Sequence, residues 1–328
     1  MDLKDKKVAI SGGSGFLGNR IVKELERKGA EVIAPRSKDY DFRELGDTKR
    51  FFEDFSQDAF VHSAALYGGI GINERIPAEI YDHNMRMVLN VFNASIDWEK
   101  GTPKIEKMIA IGSACGYPRM LGDNMREDLM WEGPVDESVE NYGMIKRLME
   151  TIGNAYRKQF GLNSINLQLS TLFGEGDTFN PERSHVPAAL IKKFTEAEQN
   201  NEPFVELWGT PDTIRELMYV GDSAEGIVRA IESFEGVNEC NDQSKYTLNI
   251  GRGEGTSIET LATTISKILG YEGKLRYNGR SPGQKSRTFI IDRMKEELGW
   301  HSERSLHEGL EKTIEWYIEN KESADARF

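Results

Sequence analysis

An α/β architecture is the fold class this sequence predicts, and three observations predict it. In the N-terminal half, short β-like runs alternate with longer stretches of helical period, the signature of a parallel sheet covered by helices on both faces. The turn Gly12-Gly13-Ser14-Gly15-Phe16-Leu17-Gly18 follows the first such run and opens the first helical pattern. A length of 328 residues leaves room for one large domain and a smaller lobe. The expected fold is a Rossmann-type doubly wound parallel sheet, spanning residues 1–173, with a smaller C-terminal substrate-binding lobe, residues 174–328, some of whose segments return to the first domain.

Strands are expected at residues 7–11, 31–34, 59–63, 107–111 and 163–169, each a short apolar run. Between them, a helix over residues 16–28 is stopped by Gly29. A second, over 80–98, carries Val88, Val91, Phe92 and Ile96 on one stripe after Pro77. A third runs from 143 to 160 and ends at Gly161. Beyond Phe173 the pattern loosens, with Gly174-Glu175-Gly176-Asp177 and Trp208-Gly209-Thr210-Pro211-Asp212 rich in turn formers. Helices are still expected at 186–199, 222–234, 258–269 and 306–320.

Charge narrows the partners. Lys plus Arg number 42 against 54 Asp plus Glu, a net charge of −12, which disfavours duplex nucleic acid and anionic membrane surfaces. Residues 1–7 are mostly charged and the apolar run Val8-Ala9-Ile10 is far too short for a signal peptide or a span, so a cytoplasmic chain is expected. Cys115 and Cys240 lack metal-site spacing and the five His are scattered, so neither a disulfide nor a metal is expected.

The glycine turn lets the backbone approach a pyrophosphate closely, with the N–H groups of the following helix facing it, so Gly12, Ser14, Gly15, Phe16, Leu17 and Gly18 are expected to bind a dinucleotide. An NAD site usually ends its second strand on an acid for the ribose hydroxyls. Here Ala34 runs into Pro35-Arg36-Ser37-Lys38. Arg36, Ser37 and Ser14 suit a 2′-phosphate, which favours NADP. Asp41-Phe42-Arg43 would place a carboxylate near the adenine amino group, although Asp41 could equally cap the next helix.

The redox candidates come next. Tyr142 and Lys146, at i and i+4, share a helix face, which sets an ammonium beside a phenol and favours its ionised form. Such a tyrosine can exchange a proton with a carbonyl oxygen as hydride moves. Ser113, at the C-terminal end of a strand, can donate a hydrogen bond to the same oxygen. Cys115 lies on the same side of an extended segment as Ser113, given the period of two. A free cysteine is usually a small buried hydrophobe, but beside this triad it reads as a base that moves a proton on the carbon next to a carbonyl. His185, in an irregular stretch that begins at Asn180-Pro181-Glu182-Arg183, is an acid/base candidate.

Together these residues resemble the extended short-chain dehydrogenase/reductases, and within them the branch that acts on GDP-linked 4-keto sugars as 3,5-epimerase and 4-reductase. The likeness runs from Val8 to about Trp300. It includes Ala64-Ala65, Tyr67-Gly68-Gly69-Ile70, His83-Asn84-Met85, the run Gly112-Ser113-Ala114-Cys115-Gly116-Tyr117-Pro118, Ser184-His185-Val186, Trp208-Gly209 and Arg215-Glu216. The resemblance implies that Cys115 and His185 are the base and acid that epimerise carbons 3 and 5. It also implies that Ala64 and Ala65 touch the cofactor and that Lys193, Trp208, Arg215 and Arg287 hold the nucleotide diphosphate. Two helices, 80–98 and 143–160, would pair across a two-fold axis into a homodimer. Four positions depart from the family's usual residues: Lys193 for Arg, Thr171 for Asn, Arg287 for Lys, and Gly116 for something larger. Thr171 and Gly116 are expected near the sugar ring and leave the sugar open, a 4-keto heptose or a dideoxy sugar included. A 4,6-dehydratase is disfavoured, because Ala114-Cys115 replaces the acid pair expected there. An epimerase without net reduction, a reductase without epimerisation and a catalytically silent cofactor sensor stand as alternatives.

Overall fold

The computed structural model describes residues 1–180, 183–236, 243–279 and 284–326. The first part comprises β1 (Lys7–Ser11), α1 (Phe16–Arg27), β2 (Glu31–Ile33), α2 (Leu45–Asp54), β3 (Ala59–His62), α3 (Ile70–Arg75), α4 (Pro77–Ala94), the short pair β4 (Ile96–Asp97) and β5 (Thr102–Pro103), β6 (Lys107–Ile111), α5 (Glu140–Phe160) and β7 (Ser164–Leu169). After it come β8 (Thr171–Phe173), α6 (Val186–Gln199), β9 (Phe204–Leu207), β10 (Ile214–Tyr219), α7 (Val220–Ser233), β11 (Thr247–Ile250), β12 (Gly255–Ser257), α8 (Ile258–Leu269), β13 (Lys274–Tyr277), α9 (Asp292–Leu298), α10 (Leu306–Glu319) and α11 (Lys321–Asp325).

Six parallel strands form the main sheet in the order β11-β7-β6-β3-β1-β2. Helices cover both faces, as apolar strands buried on two sides require. One face packs Ile21 and Leu25 of α1 with Ile227, Ile231 and Met294 of α7 and α9. The other packs Phe51 and Phe52 of α2, Val88 and Phe92 of α4, and Ile145 and Met149 of α5. A separate core, including Phe179, Leu190, Phe194, Leu261 and Tyr317, gathers β8 to β10, α6, α8 and α10. β11 is the strand of the C-terminal half that returns to the main sheet, pairing with β7.

The expected spans 7–11, 107–111, 186–199 and 258–269 match the observed elements. The helix expected over 80–98 starts earlier and stops sooner. Pro77 occupies its first turn, where a missing N–H costs nothing, and Ile96–Asp97 leaves to pair with Thr102–Pro103. The helix expected from 143 begins at Glu140, behind a short turn that Asp136 caps by accepting from the Ser138 N–H. α5 ends at Gly161, which adopts φ 74°. The strands β4, β5 and β8 to β13 were not expected: each runs two to six residues, too short for a pattern to stand out even where burial alternates, as in β9 and β13. Among the described residues no helix is long and apolar enough to cross a membrane, and no group of three or more His, Cys, Asp or Glu could hold a metal ion. Cys240 lies outside the described residues.

Candidate active site

The order of the sheet reverses between β1 and β3, and open α/β sheets bind ligands in the crevice at such a switch point. There Ser11 Oγ accepts from the N–H groups of Ser63 and Ala64, both at 3.1 Å, and lies 3.0 Å from His62 Nδ1. Burial pushes His62 down to about 3, so the ring is neutral and can accept from the hydroxyl. These bonds set the ends of the two strands at the mouth of a cleft of about 1390 Å³.

Gly12 opens the glycine turn at φ +72°, and a Cβ there would lie 2.9 Å from the Ala64 backbone. A side chain at Gly18 would overlap the Gly12 carbonyl. The first turn of α1 has no side-chain cap, so its N–H groups face the cleft. The cradle therefore fits a dinucleotide pyrophosphate. Gly12, Ser14, Gly15, Phe16, Leu17, Gly18, Ala64 and Ala65 all line it. Farther along, Ser37, Asp41, Phe42 and Arg43 also line the cleft. Arg36 is exposed on the turn after β2. Near this turn it is the Arg43 guanidinium that borders the cleft; it grips Asp41 through Nε at 2.9 Å and holds that carboxyl below its usual range.

At the centre, Lys146 Nζ donates to the Ile111 carbonyl at 2.7 Å and lies 5.2 Å from the centre of the Tyr142 ring. Burial brings this lysine down to about 8. The expectation of a lowered tyrosine is not met: burial pushes the Tyr142 phenol up, and Cys115 and Tyr67 add to the effect. Such a phenol stays protonated and is suited to giving a proton. Ser113 is held by Gln168, whose Oε1 accepts from its backbone N–H at 2.7 Å. The segment beyond is not extended, as the period-two argument assumed. Ala114–Gly116 form a single 3₁₀ turn, with the Cys115 N–H donating to Ser113 Oγ at 3.2 Å. The turn still brings Ser113 and Cys115, a free thiol, into the lining of one cleft.

His185 is the N-cap residue of α6 and lines the cleft opposite the cofactor cradle. Its ring lies nearly parallel to that of Tyr67, 19° apart with centroids 6.3 Å apart, and burial lowers its pKa. Lys193, Trp208, Arg215 and Arg287 line the outer end. Lys193 Nζ donates to the Glu206 carbonyl at 3.1 Å and sits 5.4 Å from the Trp208 ring centre. Burial first, and then the neighbouring Arg287, push Arg215 down to about 10, while Asp136 counters them. Arg287 Nε is buried without a hydrogen-bond partner. Two guanidiniums beside a single carboxylate make a place for an anion.

Thr171 lines the cleft. Gly116 does not: it is buried, and a Cβ there would meet the Arg147 backbone nitrogen at 3.3 Å. Sequence reasoning passed over Asp136, Gln168 and Arg147. Gln168, a long amide between Leu167 and Leu169 in a strand that also carries Ser164 and Asn166, was the one readable signal.

A fold, a glycine cradle and a Ser/Tyr/Lys cluster of this kind define a class, and a profile of the NAD dependent epimerase/dehydratase family matches residues 8–251; the chain belongs to that family. Within it, the chain is 30% identical to the GDP-L-fucose synthase of Escherichia coli over 325 residues, covering 98% of this chain and 99% of that protein. Among solved structures, a GDP-6-OMe-4-keto-L-xylo-heptose reductase from C. jejuni superposes with a TM-score of 0.88 at 22% identity, covering 98% and 99% of the two chains. A GDP-L-fucose synthetase from Naegleria fowleri bound to NADP superposes at 0.85, also at 22% identity, covering 98% of this chain and 95% of that one. The last two likenesses describe the fold.

Proposed function

We propose that the protein is an NADP-dependent 3,5-epimerase and 4-reductase of a GDP-linked 4-keto-deoxy sugar. One observation carries this reading: Cys115 and His185 line the same cleft as Ser113, Tyr142 and Lys146. Groups that can move protons on carbon thus stand beside groups that serve carbonyl reduction. The GDP-L-fucose synthase relative and the NADP named on the Naegleria structure support substrate class and cofactor.

NADPH, when bound, supplies the hydride for carbon 4, and the residues of the chain do the rest. A ketone at carbon 4 acidifies the hydrogens on carbons 3 and 5. Cys115 takes a proton from one face, and His185 returns one to the other. Ser113 donates a hydrogen bond to the carbonyl oxygen, and Tyr142, kept protonated by burial, gives its proton to the same atom. Lys146 spends one of its three hydrogens on Ile111 and keeps the others for the cofactor ribose and the phenol. Lys193, Arg215 and Arg287 match the charge of a diphosphate at the outer end.

The test is product analysis by NMR after incubation with GDP-4-keto-6-deoxymannose in D₂O, with and without NADPH. Deuterium at carbons 3 and 5 without NADPH, and an epimerised 4-hydroxy sugar with it, are expected. Reduction without exchange would favour the second reading, a plain 4-keto reductase on a related GDP-sugar, which Thr171 in the cleft motivates.

The same reading takes the enzyme to be a cytoplasmic homodimer whose cofactor domain spans residues 1–173, with most of the remainder forming the substrate lobe. Tyr81 and Leu89 are exposed on α4, which leaves apolar surface on one of the two helices, α4 and α5, that would pair in it. Sedimentation as a monomer at micromolar concentration would refute the dimer.

A further inference from the structure

We propose that Arg147 is a positioning residue for the Cys115 thiol, which it holds through the Gly116 carbonyl. The inference rests on the reading of Cys115 as the epimerisation base.

One turn of α5 serves two tasks. Tyr142 and Lys146 line the cleft. Gly143 and Arg147, each the next residue along, receive the Cys115 turn. Any side chain at Gly143 would overlap the Cys115 carbonyl oxygen, so the turn lies directly on the helix backbone. Arg147 is 4% exposed, and its Nε donates to the Gly116 carbonyl at 2.7 Å. Its Nη1 donates to the Gly133 carbonyl at 2.9 Å, on the loop that passes outside the turn. The guanidinium is itself fixed: it lies 5.2 Å from the centre of the Trp131 ring, and Trp131 Nε1 donates to the buried Glu150 at 2.5 Å. A buried guanidinium with two carbonyl partners is a rigid clamp.

The groups proposed for reduction have anchors outside the turn, apart from the Ser113 hydroxyl, which accepts from the Cys115 N–H. Lys146 is tied to Ile111, and the Ser113 N–H to Gln168. Loss of the Arg147 clamp therefore loosens the residue after the thiol while leaving those two anchors in place. Misplacement of a reacting group by about 1 Å can cost roughly 10²-fold in rate.

The experiment compares the full-length wild type with Arg147→Met, Arg147→Lys and Cys115→Ser. Exchange is read as deuterium uptake at carbons 3 and 5 of GDP-4-keto-6-deoxymannose without NADPH, and reduction as NADPH oxidation on the keto sugar that is already epimerised. Arg147→Met should slow exchange by about 10–100-fold, keep reduction, and speed alkylation of the Cys115 peptide by iodoacetamide. Arg147→Lys, which can still reach one carbonyl, should recover part of the exchange. If Arg147→Met fails to fold, Arg147→Gln, a neutral side chain that can still donate to one carbonyl, is read in its place and should show the same split in smaller measure. Normal exchange in Arg147→Met, or an equal loss of exchange and reduction, overturns the proposal while a dead Cys115→Ser keeps the reading of the base. Normal exchange in Cys115→Ser removes that reading and the proposal with it.

Discussion

Lys146 Nζ donates to the carbonyl of Ile111 at 2.7 Å, so the helix that carries Tyr142 is pinned to the last residue of the strand that leads to Ser113. The proposed reducing groups are thus fixed to the sheet, whereas Cys115 rides on a short turn beyond it. Two chemistries in one cleft can be separated by substitution for that reason.

Cys115→Ser should cut solvent deuterium incorporation at carbons 3 and 5 by about 10²–10⁴-fold, the usual worth of a general acid or base. Tyr142→Phe should instead suppress NADPH oxidation and leave at least part of the exchange, because it removes the proton donor to the carbonyl oxygen. His185→Asn should slow the return of the proton. NMR of the keto sugar and absorbance of NADPH read the two halves separately, and wild-type exchange in Cys115→Ser would make the thiol structural.

Cofactor choice is read by calorimetry. Arg36→Ala should weaken NADP by about 1.5–3 kcal/mol, the range for a hydrogen bond to a charged group, and leave NAD unchanged. Equal affinity for both cofactors in the wild type would refute the NADP preference. A loss that follows Arg43→Ala instead would assign the 2′-phosphate to the guanidinium beside Asp41.

The paired guanidiniums of the outer cleft predict opposite effects on binding and on stability. Arg287→Ala should weaken GDP by about 10–100-fold, as loss of a charge-assisted hydrogen bond implies. The melting temperature without ligand should not fall, since Arg287 disfavours the charge on Arg215. A lower melting temperature with unchanged GDP affinity would make Arg287 a structural residue.

Glu216, next to Arg215, is buried and accepts from the N–H groups of Phe289 at 2.7 Å and Arg252 at 2.6 Å, tying β10 to the segment that carries Arg287. Burial raises its carboxyl from 4.5 to about 7. Between those values the folded protein binds more protons here than the unfolded chain, so the contribution of this group to stability is full below 4.5 and lost as pH rises through about 7. Glu216→Gln should remove that slope from denaturant unfolding measured across the window. An identical slope in the variant would show that another group sets it.

Local pattern made much of this molecule legible. The glycine turn, the strands at 7–11 and 107–111 and the i, i+4 spacing of Tyr142 and Lys146 depend on neighbours within a few residues, and periodicity reports such relations directly. Phenol and thiol were harder to read. Burial raises Tyr142, although its nearest cation in sequence argued for the reverse, because desolvation is set by everything packed around a group. Cys115 enters the cleft on a 3₁₀ turn that Gly143 admits and Arg147 grips, and nothing in the Ser-x-Cys spacing encodes that helix surface. Arg215 and Arg287 meet because the N–H groups of Ile214 and Glu216 in β10 donate to the carbonyls of Lys285 and Arg287, a pairing between distant stretches that carries no local signature. The chain by itself determined which chemical groups are present and how each sits on its own element. Only tertiary packing decided which of them share the cleft, how dry they are and what holds them, because those quantities depend on contacts between residues far apart in sequence.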